Sequence, residues 1–172
     1  IVAPESSRMR MSDGPTVEVE ISIEASPARV WEMVTDIVGM GDWSPEYNGG
    51  EWLDGADGAE AGARFRGHNR RLDREWESVS TVIEAEPGRS FAWAVGDPDN
   101  PAATWRFDLT PEGTGTSVRQ HVRLGPGSSG LTRRIEQVPD REEDVVAARV
   151  DEHRRNMEAT LQGIKSAAER AA

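Results

Sequence analysis

The sequence predicts an α+β protein in which an antiparallel sheet of seven strands curls around one long C-terminal helix, with two short helices after the first strand. Three observations carry this. Residues 16–25, "TVEVEISIEA", alternate strictly between apolar and polar side chains, the pattern of a strand with one face buried. Between Tyr47 and Leu124 a series of strand-like segments is joined by short turn-forming stretches, which is a meander rather than a set of crossovers. From Asp140 onward the apolar residues return at helical spacing.

Each element follows in order. In the first strand Val17, Val19, Ile21 and Ile23 share one face and Glu18, Glu20, Ser22 and Glu24 the other. "SPARVWEMVTDI" then supplies Ser26 as a helix cap, Pro27 in the first turn, and Val30, Trp31, Val34 and Ile37 as an apolar face. "VGMGDWSPEY" breaks regular structure with Gly39, Gly41 and Pro45, giving a turn or second short helix before a strand near Tyr47–Leu53. "DGADGAEAG" has neither the lysine nor the following helix of a phosphate-cradling loop, so it is a hairpin connection. Strands are expected at Ala63–Arg71, Arg74–Ala85, Arg89–Val95, Ala103–Thr110 and Thr116–Leu124. "GPGSSG", 125–130, reads as a flexible connector, and the final helix is expected to begin at Asp140. Its stripe is Val146, Val150, His153, Met157, Leu161, Ile164 and Ala168. A helix to Arg170 would extend roughly 45 Å, so it must lie across a whole sheet to hide that stripe.

Composition excludes several functions. The 172 residues fit one domain with its own core. With 31 acidic against 20 basic residues the formal charge is −11, which disfavours nucleic acid and anionic lipid as partners. No cysteine is present, so thiolate zinc sites, disulfides and a cysteine nucleophile are excluded. No window approaches the length of a membrane span or the apolar run of a signal peptide, and stable membrane insertion is not expected. The default placement is cytoplasmic. Met11-Ser12-Asp13-Gly14 reads like a translation start, so residues 1–15 are set aside as a tail, disordered or not native, and 16–170 as the domain.

The order of elements, with "ISIEASPARVWEMVTDI", "DWSPE", "GARFRGHNRR", "IEAEPGRSFAW" and "DEHRRNMEATLQGIK", resembles the START and birch-pollen-allergen-like (SRPBCC) superfamily, and within it the polyketide cyclase/dehydrase branch. The likeness spans Thr16 to about Ala168. It implies a helix-grip fold, with a cavity between sheet and C-terminal helix for an apolar or amphipathic small molecule. Members include lipid and sterol carriers, ubiquinone-binding proteins and aromatic polyketide cyclases. They share a pocket rather than a reaction.

Strand parity names the pocket's walls independently of the resemblance. Phe91, Trp93 and Val95 share a face, as do Trp105, Phe107 and Leu109. Val118, Val122 and Leu124 place Gln120 inward, and Phe65 places Gly67 and Asn69 inward. Residues 74–85 fit either parity, and a bulge could switch it. Three polar side chains, Asn69, Gln120 and His153, thus interrupt an apolar interior. Buried polar groups need partners, which are either internal ones or a ligand's carbonyl or hydroxyl. The candidate ligand-binding residues are Trp43, Phe65, Asn69, Trp93, Trp105, Phe107, Gln120, His153 and Met157. Trp43, in the loop after the short helices, stands either at a cavity mouth or as a plug of the core.

Metal binding is not expected, because His68 and His121 fall on the outward parity of their strands. No cofactor is called for, no nucleophile elbow or triad is present, and no catalytic residue or oligomeric state can be named. The basic stripe Arg64, Arg66, His68 and Arg70 is expected to pair with Glu75 and Glu77 across the sheet, and "DPDN", 97–100, is a turn rather than a calcium loop. The leading expectation is binding of a hydrophobic or aromatic small molecule, a lipid, quinone or polyketide-like compound. The alternatives are a cyclase or dehydrase acting on a poly-ketone chain, and a protein-interaction module.

Overall fold

A computed structural model describes residues 8–170. Seven strands form one antiparallel sheet: β1 (Thr16–Ile23), β2 (Tyr47–Trp52), β3 (Arg64–Arg71), β4 (Arg74–Glu86), β5 (Ser90–Val95), β6 (Ala103–Glu112) and β7 (Gly115–Leu124). Their spatial order is β1-β7-β6-β5-β4-β3-β2, so the chain crosses once, from β1 to the far edge, and then runs back as a meander. That crossing holds α1 (Pro27–Val34) and a 3₁₀ turn (Gly39–Asp42). After β7 come α2 (Gly130–Gln137), a 3₁₀ turn (Pro139–Arg141) and α3 (Glu142–Arg170).

The helix-grip architecture follows from matched apolar faces. Helix α3 buries Val146, His153, Met157, Thr160, Leu161, Ile164 and Ala168 and packs on β1 and α1. From the sheet, Val17, Phe91, Phe107, Val118 and Val122 reach the same core. A fully buried Leu161 or Ile164 contributes about 1.5–3 kcal/mol over its exposed state, so the stripe holds the helix in place. Helix α1 starts where Ser26 Oγ accepts the Arg29 amide and Pro27 opens the first turn.

The β4 parity is settled by a bulge. Phe65 faces Ser80 and Asn69 faces Trp76, so Trp76, Ser78, Ser80 and Val82 share the concave side. The register to β5 shifts between Val82 and Glu84, and Ala85 then faces Phe91. Ile83, the extra residue, is left 48% exposed, and apolar side chains on both sides of the bulge keep their place in the core.

The connector after β7 and the start of the final helix differ from expectation. The connector after β7 is not merely flexible: Ser129 Oγ accepts the Thr132 amide while Thr132 Oγ1 accepts the Ser129 amide, capping α2. The Gly127 amide also donates to Pro101 O. Helix α2 buries no residue, so it leaves no apolar stripe in the sequence, and the final α-helix begins at Glu142 rather than Asp140. The tail of residues 1–15 divides in two. Residues 1–7 lie outside the described residues, whereas Met11–Asp13 form a 3₁₀ turn. The Met11 amide donates to Glu142 Oε1 at 3.1 Å, Arg10 pairs with Glu142 and Glu143, and Pro15 O accepts the Leu124 amide. This segment is fastened by polar contacts that no hydrophobic pattern encodes.

On the convex side the expected cross-strand pairs form for three of the four basic residues, whereas Arg64 meets Asp54 at 2.8 Å instead. Arg66 and His68 meet Glu77, and Arg70 meets Glu75. Glu51 on β2 also approaches His68 at 2.7 Å and Arg66 at 3.2 Å. Glu51 is held below the usual carboxylate range, first by its hydrogen bond from His68. These groups are solvent-exposed, so each pair contributes little to stability.

Candidate functional site

Between the concave face and α3 lies a cavity of about 130 Å³, counted as space open to the centre of a water molecule, or about 830 Å³ of unfilled space with its mouth included. Strand alternation builds its wall, because every second residue of β3, β5, β6 and β7 points inward, as in β4 up to the bulge at Ile83. Trp93 stands at the centre, with Phe91 at 5.0 Å between ring centroids, Phe65 and Phe107 at 6.0 Å. Trp105 is stacked beside it at 6.3 Å and 11° between planes. Met157 comes from α3 and is fully buried. The aromatic wall is apolar and flat, suited to a planar or greasy body.

Polar groups enter this wall at few points. Gln120, facing Phe107 across the β6–β7 ladder, is 6% exposed, and its Oε1 has no hydrogen-bond partner among the described residues. His153 is 7% exposed, and its ring stands edge-on to Trp105 with centroids 5.4 Å apart. Burial, reinforced by the charges of Arg149 and Arg71 and partly opposed by Glu152, pushes its pKa down to about 3. At neutral pH it is therefore an uncharged imidazole, with one donor and one acceptor nitrogen. Asn69 Nδ2 makes only a long bond, 3.4 Å, to Ser78 Oγ.

Eight of the nine candidate residues line this one cavity: Phe65, Asn69 and Trp93, then Trp105, Phe107 and Gln120, and from α3 His153 and Met157. Trp43 does not. It packs against Gly163 of α3, where an added Cβ would come within 2.9 Å of Trp43 Cβ. The hydrophobic stripe of α3 is thus extended by a glycine notch, and Trp43 fills it as part of the core periphery. Metal-ligand clusters of three or more His, Asp or Glu side chains do not occur among the described residues.

Further wall residues escaped the sequence reading. Asn156 and Thr160 lie three and seven positions after His153 and share its helix face, a spacing that could have identified them. Tyr47 is positioned by two glycines: a Cβ on Gly67 would meet its Cε2 at 2.8 Å and one on Gly50 its hydroxyl at 2.5 Å. The phenol donates to Ile37 O at 2.5 Å, and burial, then the nearby Glu51 and Asp36, raises its pKa above the ordinary value.

At one side of the cavity four charges form a continuous series of ion pairs. Glu46, which lines the cavity, accepts both Arg149 terminal nitrogens at 2.5 and 2.9 Å. Arg149 also meets Glu152 at 3.1 Å, and Glu152 accepts Arg71 Nε and Nη2 at 2.7 and 2.8 Å. The Arg71 hydrogen bond is the first cause holding Glu152 below the usual carboxylate range. Two acids and two bases thus tie the segment before β2 and the end of β3 to α3, with no charge left unmatched.

The sequence also matches a family model over residues 14–169, described as polyketide cyclase/dehydrase and lipid transport. The chain belongs to that family. Among solved structures it is similar to a polyketide-cyclase-like protein from Corynebacterium glutamicum, at 30% identity over 90% of this chain and 91% of that one, with a TM-score of 0.67. The Zhui aromatase/cyclase from a Streptomyces species shares the fold at 20% identity, covering 91% and 94% of the two chains, TM-score 0.66. A Thermus thermophilus protein does so at 18% identity, over 92% and 99%, TM-score 0.65. No curated protein matches the sequence significantly. Within the polyketide cyclase/dehydrase and lipid-transport family this chain has the expected sheet, long helix and internal cavity. No described helix is long and apolar enough to cross a membrane.

Proposed function

We propose that this protein binds a hydrophobic or aromatic small molecule, a lipid, quinone or polyketide-like compound, in the cavity between its sheet and α3, acting as a carrier, sensor or sequestering protein in the cytoplasm. The carrying observation is a cavity walled by Phe65, Phe91, Trp93, Trp105 and Phe107, into whose lining few polar groups enter, with Gln120 Oε1 unpartnered among the described residues. This is the composition of a ligand pocket rather than of a packing defect. The family description, which names lipid transport beside cyclisation, supports it.

An enzymatic reading draws on one specific observation, the neutral imidazole of His153 against Trp105. With its pKa pushed down to about 3, it is a poor proton acceptor at neutral pH. Its N–H could still polarise a ligand carbonyl, while the walls hold a flexible chain in a reactive shape. Binding requires fewer assumptions, so it is preferred.

The test is a thermal-shift and native mass spectrometry screen of the purified chain against lipids, quinones and aromatic polyketides. A binder at 100 times its Kd raises stability by about 2.7 kcal/mol. The reading expects at least one class to stabilise the protein with a bound mass at one-to-one stoichiometry. A screen in which no compound shifts melting would refute it.

A further inference from the structure

The identity of the polar groups in the cavity restricts the ligand more narrowly than its apolar walls do. Gln120 lines the cavity, is only 6% exposed, and its buried Oε1 is unpartnered among the described residues. An unpaired buried acceptor is costly, so a donor arriving with a ligand would be rewarded. Rotation about the last torsion of the glutamine is broad and roughly two-fold, so the amide can present oxygen or nitrogen to the cavity. His153, also at the wall, offers one acceptor and one donor nitrogen when neutral. A hydroxyl is the small group that meets such a set in any orientation, because it donates one hydrogen bond and accepts others. A ketone or ether can only accept, which leaves Oε1 unsatisfied.

Charge is selected against by the same surroundings. The charged groups described at one side of the cavity are already matched among the described residues: Glu46 with Arg149, and Glu152 with Arg149 and Arg71. A carboxylate ligand entering the cavity would have to displace Glu46 or lie unpaired against the aromatic wall, and an unpaired buried ion is strongly disfavoured.

We propose that the cavity is a site for an uncharged aromatic or polycyclic compound bearing a hydroxyl, and that the Gln120 carboxamide is the residue that recognises this hydroxyl. This rests on the cavity-binding reading and adds to it the chemistry of the ligand's polar end and the specificity-determining residue.

The experiment is isothermal titration of the full chain with four probes of one shape: naphthalene, 2-methoxynaphthalene, 2-naphthol and 2-naphthoate, repeated on Gln120→Leu and Gln120→Met. The wild type is expected to bind 2-naphthol about ten-fold more tightly than naphthalene or the ether, and 2-naphthoate most weakly. In both variants the preference for 2-naphthol over naphthalene should fall to within about three-fold, whatever the absolute affinity for naphthalene becomes. Two variants are used so that a folding defect in one does not remove the test. Equal wild-type affinities for naphthalene and 2-naphthol would overturn this inference and leave the cavity-binding reading standing. So would a hydroxyl preference that survives both substitutions, or tighter binding of 2-naphthoate than of 2-naphthol. Failure of all four probes to bind would overturn this inference, while the cavity-binding reading would still be decided by the screen against lipids, quinones and aromatic polyketides.

Discussion

Replacing His153 by Phe should flatten the pH dependence of stability between neutrality and pH 5, because the wild-type imidazole stays uncharged when folded and takes a proton when unfolded. Its ordinary pKa of 6.5 falls to about 3 in the folded chain. A base with a depressed folded pKa contributes its full stability above the unfolded value and loses it as pH falls from there toward the folded value, since only the unfolded chain binds the proton. At 1.36 kcal/mol per pH unit, lowering pH from 7 to 5 should remove about 2 kcal/mol from the wild type through this one residue. In a chain of this length that is about 4–8 °C in Tm. Phe keeps an aromatic edge against Trp105 and has no proton to gain. Glu51, Glu152 and Glu169 have folded pKa values pushed below 4.5, so their losses come at lower pH. They are also common to both proteins and cancel in the difference. Urea denaturation of both proteins at pH 7, 6 and 5 measures it. Parallel stability curves would refute the placement of a neutral imidazole in the interior.

Three further outcomes follow from particular contacts. Glu46→Gln removes one partner of the Arg149 pair, whose side chains are only 15–16% exposed, and should cost about 1–3 kcal/mol in denaturant unfolding. A double-mutant cycle with Arg149→Met should show that the two effects are not additive. Gly67→Ala forces a methyl onto Tyr47, 2.8 Å from Cε2, and should cost about 1–3 kcal/mol. Because Tyr47 is the only tyrosine, absorbance titration follows its phenol directly: in the wild type ionisation should lie above pH 10, and in the variant it should move back toward it. Leu72→Asn should gain about 0.5–1 kcal/mol in thermal unfolding, since Leu72 is 82% exposed and holds a left-handed backbone, φ 55°, that asparagine tolerates better.

Most of the cavity wall was legible because a strand repeats every two residues and only one face can meet α3. One anchor per strand, such as Phe65 or Val118, therefore fixed the direction of Asn69 and Gln120. The same logic stalled on β4, where the bulge at Ile83 reverses parity within one strand. Helix α2 was missed because its eight residues bury nothing, so capping between Ser129 and Thr132 was the only signal. Trp43 was resolved only by the position of Gly163, a contact between residues far apart in sequence. The Glu46–Arg149 pair spans 103 positions, and no local pattern predicts which of many acids an arginine will meet. The polar contacts that close the cavity were therefore the least readable part, although its apolar frame could be traced residue by residue.

Binding of a small apolar molecule in the space between sheet and α3 can be observed directly. The measurement is isotope-filtered NMR of the labelled protein with unlabelled 2-naphthol. Intermolecular nuclear Overhauser contacts from ligand protons to the Met157 methyl and to the Trp93, Trp105 and Phe107 rings, all at the cavity wall, are the predicted result. Contacts confined to exposed side chains such as Leu72 and Val38, with none to Met157, would contradict it.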